Sequence, residues 1–318
     1  MEHRILVTRH VYPDAIERLR EIGDVDWNDG RNGLAPAALQ ERIHGATALV
    51  CQLTDPIGAE VMDAAPRLRV IANVAVGYDN IDVAAAKERG IVVTNTPGVL
   101  TDSTADFTWA LMMATARRIV DADRYLRDGH WRQWEIDLLC GHDVFGRTLG
   151  IVGMGRIGQA VARRARGFDM RVLYASRTRL DAERERETNA TWAPLDDLLT
   201  ESDVVSLHCP LTPQTHGLID ADALARMKST AILVNTARGA VVDEAALTDA
   251  LRDRRIAGAG LDVFVNEPRV HPGLLDARTA VLCPHVASAA VETRTRMCVM
   301  AAENVAAVLR GDVAPNPI

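Results

Sequence analysis

The sequence predicts an α/β fold of two domains, each built around a parallel β-sheet. The chain has 318 residues, which is long enough for two domains of ordinary size. Short apolar runs of strand length alternate with helical patterns along most of it, and this alternation is typical of a parallel sheet covered by helices. Near the middle, the segment from Leu149 to Arg179 reads as a strand, a glycine-rich turn, a helix and a second strand.

In the first third of the chain we predict strands at 5–8, 48–51, 70–74 and 91–94, with helices at 13–22 and 83–89. A long helical pattern follows at 103–119, and Thr101 and Asp102 offer side chains that can cap its N-terminus. The segment 121–146 has no clear period, so we expect a connecting loop with a short helix there.

A second series of strands begins at Leu149. We predict these strands at 149–152, 171–175, 204–208, 231–236, 258–263 and 280–283. The last helix, at about 291–309, is amphipathic and rich in alanine, and it finds no place in the second sheet. We therefore expect this helix to pack on the first domain, which would make that domain discontinuous.

Composition and charge argue against nucleic acid or a membrane as the main partner. The chain is 48% hydrophobic and 25% charged, as globular proteins are. Its 36 basic and 43 acidic residues give a formal net charge of −7, which disfavours polyanionic partners. No apolar run approaches the roughly 18 residues of a membrane span, and the N-terminal MEHRILVTRH lacks the apolar region of a signal peptide. We therefore expect a cytoplasmic protein.

The cysteines predict neither a disulfide framework nor a metal site. There are five of them, an odd number, and none forms a CxxC pair. We expect most to be small buried side chains, and no metal is predicted.

The turn at 153–158 has the pattern of a dinucleotide-binding βαβ unit. Gly153 would permit the tight turn, Gly155 would let the backbone approach a pyrophosphate, and Gly158 would let helix and strand pack closely. The pyrophosphate would lie at the helix N-terminus, where unpaired N–H groups and the helix dipole favour anions. The strand–turn–helix–strand context distinguishes this motif from a chance match.

The end of the second strand of this unit indicates which dinucleotide is bound. A site for NAD has Asp or Glu about 20 residues after the glycines, where the acid bonds the ribose. Here that position holds Ser176, Arg177 and Thr178, and hydroxyl and guanidinium groups both bind phosphate. We therefore predict that NADP(H) is preferred and NAD(H) possible, with Arg177 as the main determinant and Arg156 near the pyrophosphate. The alternative is that Arg177 is a solvent-facing loop charge.

With these pieces in order, the sequence resembles the D-isomer-specific 2-hydroxyacid dehydrogenases over nearly the whole chain. The motifs that carry the resemblance are VGYDN at 76–80, TAD at 104–106, the glycine turn, HCPLT at 208–212, NTARG at 235–239, LDVF at 261–264 with Glu267-Pro268, and Pro284-His285. The Ser-Arg-Thr run at 176–178, with Trp131 and Trp134, is most similar to the glyoxylate/hydroxypyruvate reductases of that family.

The resemblance implies two Rossmann-like domains. A parallel-sheet NAD(P)-binding domain at 100–285 would be inserted into a flavodoxin-like substrate-binding (catalytic) domain at 1–99 and 286–318. The resemblance also implies a homodimer formed through the cofactor domain, which the extended segment 121–146 supports weakly.

Reduction of a 2-oxo acid needs a cation for the carboxylate, a proton donor for the carbonyl oxygen and a hydride from the nicotinamide. Arg238 follows an apolar strand, at the end where ligands of open α/β sheets bind, and its planar fork suits a carboxylate. His285 follows another strand, and histidine is the usual acid–base group near neutral pH. The resemblance implies that Glu267 is the carboxylate that favours the imidazolium, so that Arg238, Glu267 and His285 are the catalytic residues.

The resemblance implies further contacts. Val76 and Gly77 would present backbone N–H groups to the substrate carboxylate, Ser288 would join Arg238 and His285 in substrate binding, and Asp262 would bond the nicotinamide carboxamide. The other cofactor-binding residues that we expect are Thr104, Gly153, Gly155, Arg156, Ile157, Gly158, Ser176, Arg177, Thr178, Cys209, Pro210, Thr215, Thr236 and Ala237. Ala75 and Ala287 depart from the family pattern beside the substrate site, and this leaves the substrate's side chain open.

The leading hypothesis is an NADP(H)-preferring glyoxylate/hydroxypyruvate reductase that forms a D-2-hydroxy acid. A dehydrogenase for a 2-keto sugar acid, phosphohydroxypyruvate or a larger keto acid is the first alternative. A phosphoglycerate dehydrogenase with a regulatory domain is disfavoured, because the sequence stops at Ile318. A nucleotide-sensing corepressor of the same fold would keep the catalytic residues, so these do not exclude it. The lack of long disordered extensions favours an enzyme.

Overall fold

The computed structural model describes residues 3–318, which form two compact units. The first unit is the chain up to Leu100 together with Ser288–Ile318, and the second is the continuous segment Thr101–Ala287. Each unit contains one sheet, of five and seven strands respectively, and the pairings between strands are parallel. The predicted α/β fold class with two parallel sheets is confirmed.

The strands are β1 (Arg4–Val7), β2 (Asp24–Trp27), β3 (Ala48–Cys51), β4 (Val70–Asn73), β5 (Val92–Thr94), β6 (Thr148–Val152), β7 (Arg171–Ala175), β8 (Ala190–Trp192), β9 (Val204–Leu207), β10 (Ile232–Asn235), β11 (Gly258–Leu261) and β12 (Ala280–Leu282). The α-helices are α1 (Pro13–Arg20), α2 (Pro36–Ile43), α3 (Ala59–Asp63), α4 (Val83–Glu88), α5 (Thr101–Ala116), α6 (Ile119–Arg127), α7 (Arg156–Ala165), α8 (Ala182–Thr188), α9 (Leu195–Glu201), α10 (Ala221–Arg226), α11 (Glu244–Arg252), α12 (Pro272–Asp276) and α13 (Val291–Arg310).

The sheet of the first unit has the strand order β2-β1-β3-β4-β5. Its inner strands β3 and β4 are buried along their whole length, as expected for a parallel sheet covered on both faces. The last helix, α13, packs against α1, β3 and β4, because its buried stripe of small and aliphatic side chains needs an apolar partner. The C-terminal helix is thus part of the first unit.

The sheet of the second unit has the order β12-β11-β10-β9-β6-β7-β8. Strands β7 and β8 are added on one side of β6, and strands β9 to β12 are added on its other side. The direction in which strands are added therefore reverses between β6 and β9. Two apolar clusters, formed mostly by Ala, Val, Leu and Ile, fill the space between this sheet and its helices. In open α/β sheets such a reversal leaves a crevice at the C-terminal strand ends, where ligands bind.

All ten predicted strands are present, with ends that differ by no more than two residues. The strands β2 and β8 were not predicted, and both are edge strands. An edge strand needs no continuous apolar run: β2 alternates Asp with Val and Trp, and no residue of it is fully buried. The predicted capping by Thr101 and Asp102 is wrong, because α5 begins at Thr101 and both residues lie in its first turn. Among the helices that the structure describes, none is long and apolar enough to cross a membrane.

Candidate active site

The loops that follow the strands of the second unit lie at the same end of its sheet, the C-terminal end of the strands, because all of these strands are parallel. Most of the residues predicted from the sequence lie in these loops. The glycine turn follows β6 and the Ser-Arg-Thr run follows β7, while Cys209 and Arg238 follow β9 and β10, and His285 follows β12. These loops together form one candidate site.

The glycine turn is shaped so that two of its three glycines tolerate no side chain. Gly153 has φ +97°, and a Cβ there would lie 2.4 Å from the backbone nitrogen of Cys209 on the neighbouring strand end. A Cβ on Gly158 would lie 2.3 Å from the carbonyl oxygen of Gly153. A Cβ on Gly155, by contrast, would meet nothing within 4 Å. The turn is thus tightly packed on its inner side and open at Gly155, where a pyrophosphate would approach.

The N-terminus of α7 is suited to an anion. The helix has ten residues, its N-cap is Gly155, and no side chain caps it. The first N–H groups of a helix have no partner within the helix, so here they remain available to a ligand. Arg156 is the first helical residue and is exposed beside them, and Ile157 follows it, partly buried. These residues fit the pyrophosphate of a dinucleotide.

A buried tyrosine organises the loop that follows β7. The Tyr174 hydroxyl accepts the N–H of Leu180 at 2.9 Å and donates to Glu185 Oε1 at 2.7 Å. Glu185 also accepts a hydrogen bond from Arg179 Nε at 2.9 Å, and the bonds from Arg179 and Tyr174 hold the pKa of its carboxyl below the usual value. Burial raises the pKa of Tyr174, so its hydroxyl remains protonated.

The two arginines of this loop, Arg177 and Arg179, differ in whether they have a partner. Arg179 is paired with Glu185, whereas the exposed Arg177 side chain forms no hydrogen bond or ion pair with any residue from 3 to 318. The Ser176 hydroxyl donates its proton to the carbonyl oxygen of Thr178 at 2.7 Å. The guanidinium N–H groups of Arg177 are therefore available to a 2′-phosphate. The Ser176 hydroxyl could donate to the phosphate only by giving up its bond to the carbonyl oxygen of Thr178.

His285 and Glu267, which the sequence analysis predicts to act as an acid–base pair, are in hydrogen-bond contact. His285 Nδ1 lies 2.8 Å from Glu267 Oε2, and Glu267 Oε1 accepts the N–H of Phe264 at 3.0 Å. Burial alone would raise the pKa of Glu267, but the hydrogen bonds from His285 and Phe264 and the charge of Arg238 hold it below the usual value. Glu267 is therefore ionised at neutral pH. No described residue bonds His285 Nε2, and the side chain is 28% exposed, so this nitrogen can face a ligand.

The backbone of His285 is held in an uncommon conformation. Its φ is +54°, in the left-handed region that non-glycine residues seldom adopt. The His285 N–H donates to the carbonyl oxygen of Asp262 at 2.8 Å, and the Asp262 carboxylate accepts the N–H groups of Val286 at 2.8 Å and Ala287 at 2.7 Å. Asp262 is fully buried, and each of its carboxylate oxygens accepts one of these bonds and keeps a second lone pair.

Arg238 stands at the end of β10, in a loop shaped by its neighbour Asn235. Asn235 Nδ2 donates to the carbonyl oxygen of Arg238 at 2.9 Å, and its Oδ1 accepts the N–H of Ala237 at 3.0 Å. The guanidinium donates to the carbonyl oxygen of Ala237 at 2.8 Å and is partly buried. Its charge also contributes to the lowered pKa of Glu267.

The remaining predicted cofactor residues of this unit differ in how accessible they are. Thr104 is buried in the first turns of α5, and Cys209 is buried behind the glycine turn. Thr236 lies beyond β10, and its hydroxyl is 3.0 Å from that of Thr108. The Thr215 hydroxyl donates to the carbonyl oxygen of Pro210 at 2.6 Å and so closes the loop after β9.

His208 also ends a strand but differs from His285. Its Nε2 lies 2.8 Å from the hydroxyl of the buried Ser206. Burial lowers its pKa to about 4, so the ring is neutral at physiological pH. Within residues 3–318, no carboxylate pairs with this imidazole, in contrast to that of His285.

The predicted substrate-binding residues Val76, Gly77 and Ser288 belong to the first unit. Val76 and Gly77 lie in the loop after β4 and are half-buried. The Ser288 carbonyl oxygen accepts the N–H of Ala290 at 2.8 Å, just before α13. Ala75, which departs from the family pattern, is buried.

Several residues that shape these loops were not predicted as functional. Tyr174 and Glu185 support the loop after β7, and Glu244 Oε1 accepts the N–H of Val265 at 2.8 Å beside the acid–base pair. Glu185 and Glu244 lie in helices whose acidic residues look solvent-exposed in the sequence, so no local pattern reveals their partners. Within residues 3–318, no group of three or more His, Cys, Asp or Glu side chains could hold a metal ion.

Comparisons with known proteins agree with this geometry. Residues 109–287 match the family model described as "D-isomer specific 2-hydroxyacid dehydrogenase, NAD binding domain". The chain is 54% identical to a glyoxylate reductase of Korarchaeum cryptofilum, over 99% of this chain and 96% of that protein. A crystal structure of a protein from Thermus thermophilus superposes with a TM-score of 0.93 at 50% identity, covering 99% of each chain.

A second solved structure is informative about ligands. The NADPH-dependent glyoxylate/hydroxypyruvate reductase of Sinorhizobium meliloti, in complex with NADP and malonate, matches with a TM-score of 0.87 at 36% identity, over 100% of this chain and 97% of that one. The fold, the glycine turn and the full-length similarity together lead to one conclusion. The chain belongs to the D-isomer-specific 2-hydroxyacid dehydrogenase family.

Proposed function

We propose that this protein is an NADP(H)-preferring reductase of small 2-oxo acids, with glyoxylate and hydroxypyruvate as substrates and D-2-hydroxy acids as products. The observation that carries the proposal is the His285–Glu267 pair at 2.8 Å, with Nε2 of the imidazole unbonded among the described residues and the charge of Arg238 lowering the pKa of Glu267. The glyoxylate reductase of Korarchaeum cryptofilum, similar over 99% of this chain, supports the choice of substrate.

In this proposal His285 is the proton donor. Glu267 accepts from Nδ1 and, being ionised, stabilises the imidazolium, so Nε2–H can donate to the carbonyl oxygen of the substrate. Arg238 binds the substrate carboxylate through its planar fork. The substrate carbonyl would become a hydroxyl, its oxygen taking the proton from His285 and its carbon taking the hydride.

A bound nicotinamide coenzyme would supply the hydride. The second unit is the NAD(P)-binding domain of this proposal, and the open backbone at Gly155 with the uncapped start of α7 would hold the pyrophosphate. Thr104, Cys209, Pro210, Thr215, Thr236, Ala237 and Asp262 would complete the coenzyme site. The first unit is the substrate-binding domain, to which Val76, Gly77 and Ser288 would contribute.

We attribute the preference for NADP(H) to Arg177. An acid at the end of the second strand would repel a 2′-phosphate, and none is present. The guanidinium of Arg177 has no partner among residues 3–318, whereas Arg179 is paired with Glu185. The reductase of Sinorhizobium meliloti, described as NADPH-dependent, supports this choice. NAD(H) remains a possible second coenzyme.

The test of the proposed function is a panel of 2-oxo acids assayed with NADPH and with NADH. His285→Ala should lower kcat about 10²- to 10⁴-fold, because general acid catalysis contributes that much, and should leave NADPH binding intact. His10→Ala is a matched control, because His10 Nδ1 also pairs with a carboxylate, that of Asp29, at 2.6 Å. Normal turnover by His285→Ala, or no turnover of any 2-oxo acid by the native protein, would contradict the proposal.

We also propose a cytoplasmic homodimer, formed through the second unit. The segment after α6 exposes three large apolar side chains, with Trp131, Trp134 and Ile136 exposed by 55%, 74% and 78%. An exposed apolar patch of this kind marks an interaction surface. Light scattering of Trp134→Asp with Ile136→Asp should report a monomer where the native protein is a dimer, and a native monomer would refute the proposal.

A further inference from the structure

The loop that follows β4 has three consecutive carbonyl groups that are each held by a donor from the same unit. The carbonyl oxygen of Ala75 accepts the N–H of Thr96 at 2.9 Å. That of Val76 accepts a hydrogen bond from Asn95 Nδ2 at 2.7 Å, and that of Gly77 accepts one from Asn73 Nδ2 at 2.9 Å. Three successive peptide groups are thus fixed through their oxygens.

Fixing a carbonyl also fixes the direction of the N–H that follows it. These peptide bonds are trans, and in a planar trans peptide the C=O and the next N–H point in opposite directions. The bond to Asn95 therefore turns the N–H of Gly77 away from Asn95, and the bond to Thr96 does the same for the N–H of Val76. Neither N–H donates to any atom of residues 3–318, so both are available to an acceptor from outside the protein.

The two asparagines are themselves firmly held. Asn73 is fully buried at the end of β4, and its Nδ2 also donates to Asn80 Oδ1 at 3.0 Å. The backbone of Asn95 is bonded at both ends, because its carbonyl oxygen accepts from the fully buried Asn304 of α13 at 3.1 Å and its N–H donates to Asn316 at 3.3 Å. A rigidly held amide is what a positioning role requires.

We propose that Asn95 and Asn73 are positioning residues for the binding of the substrate carboxylate. Asn95 orients the N–H of Gly77, and Asn73 fixes the next peptide group so that the loop cannot rotate. This inference rests on the proposed function, in which Val76 and Gly77 bind the carboxylate. Without the bond from Asn95, the peptide group between Val76 and Gly77 could turn, and the N–H would point toward the carboxylate for only part of the time.

Steady-state kinetics of Asn95→Ala and Asn95→Asp test the inference. Loss of one oriented donor to a carboxylate should raise the KM for glyoxylate about 10-fold, with an unchanged KM for NADPH. Asn95→Asp keeps the shape of the side chain but has no N–H to donate, so it should be at least as impaired as Asn95→Ala. If the side chain served only to fill space, Asn95→Asp would behave as the native enzyme.

Asn28→Ala is the matched control, because Asn28 Nδ2 also braces a loop of the first unit through backbone carbonyls, those of Thr8 at 2.8 Å and Asn32 at 3.1 Å. This variant should leave both KM values unchanged. An equal rise in the KM for glyoxylate in Asn28→Ala would mean that any loosening of the unit has this effect, and would overturn the inference.

A second readout separates this inference from the proposed function. In holoenzyme labelled with ¹⁵N-glycine and saturated with NADP⁺, oxalate should shift the amide signal of Gly77, which Gly77→Ala identifies. No shift in the native enzyme would refute the binding of carboxylate at Gly77, and with it the proposed role of this loop. A native shift that persists unchanged in Asn95→Ala would overturn the inference about Asn95 alone.

Discussion

Replacement of Glu267 by Gln should separate the electrostatic contribution of this carboxylate from its steric role. Gln keeps the size of the side chain and can still accept the N–H of Phe264, which lies 3.0 Å from Oε1. It removes the negative charge that lies 2.8 Å from His285 Nδ1. The variant therefore keeps the loop in place and weakens the stabilisation of the imidazolium.

The expected loss of kcat follows from the strength of the hydrogen bond between His285 and Glu267. A hydrogen bond to a charged group contributes about 1.5–3 kcal/mol, and about 1.4 kcal/mol corresponds to a tenfold change in rate. The full range would be about 10- to 150-fold in kcat for reduction. Because His285 and Glu267 are 28% and 25% exposed, solvent screens the pair, so we expect a loss near the lower end, about 10-fold.

The assay is the reduction of glyoxylate by NADPH across a range of pH. The loss in Glu267→Gln should appear in kcat, while the KM for NADPH stays unchanged, because the carboxylate bonds His285. Glu244→Gln is a matched control, since Glu244 also accepts a backbone N–H of this loop, that of Val265 at 2.8 Å, without bonding His285. The double variant of Glu267→Gln with His285→Ala should be no slower than His285→Ala alone.

Two results would refute this reasoning. If Glu244→Gln lost as much activity as Glu267→Gln, the effect would come from the loop and not from the ion pair. If the losses of Glu267→Gln and His285→Ala multiplied in the double variant, Glu267 would act independently of His285.

The other predictions concern the coenzyme and stability. Arg177→Ala should raise the KM for NADPH about 10-fold, because a charged bond to phosphate is lost, and should leave the KM for NADH unchanged; equal use of both coenzymes by the native enzyme would contradict this. Tyr174→Phe should lower the free energy of unfolding by about 1–3 kcal/mol, because the Leu180 N–H loses its acceptor, and thermal denaturation with Tyr125→Phe as control measures it. The folded-state pKa of His208, about 4 against an ordinary 6.5, means that the unfolded chain binds a proton between these values and the folded chain does not. Stability should therefore fall as pH decreases from about 6.5 to 4, by at most about 3 kcal/mol, and His208→Asn should flatten this slope in urea titrations.

Much of the second unit could be predicted from its sequence, because its signals are local. Apolar strands buried on both faces predicted all but one of its seven strands, and Gly153 and Gly158 were required by the packing that the structure shows. Arg238 and His285 could be proposed because each follows a strand, at the C-terminal end of the sheet, where open α/β sheets bind their ligands. The same reasoning could not pair His285 with Glu267 without the family resemblance, since 18 residues separate them.

Contacts between distant segments could not be predicted. The bond from Asn95 to the carbonyl oxygen of Val76 joins the ends of β4 and β5, whose proximity depends on the strand order of the sheet. Likewise, only the structure distinguishes Arg177 from Arg179, because the partner of Arg179 lies on the following helix. The edge strands β2 and β8 were missed for a different reason, since partial exposure allows polar residues in them.

The position of α13 has a consequence for biosynthesis. The second unit is one continuous segment, so it can complete its own core as soon as residue 287 has left the ribosome. The first 100 residues must wait for the last helix, because α13 covers α1, β3 and β4. Until then these elements expose an apolar surface, and nascent chains with such surfaces are prone to aggregation. The first unit to be synthesised is therefore the last to be completed, and its sheet stays uncovered on the α13 side during that interval.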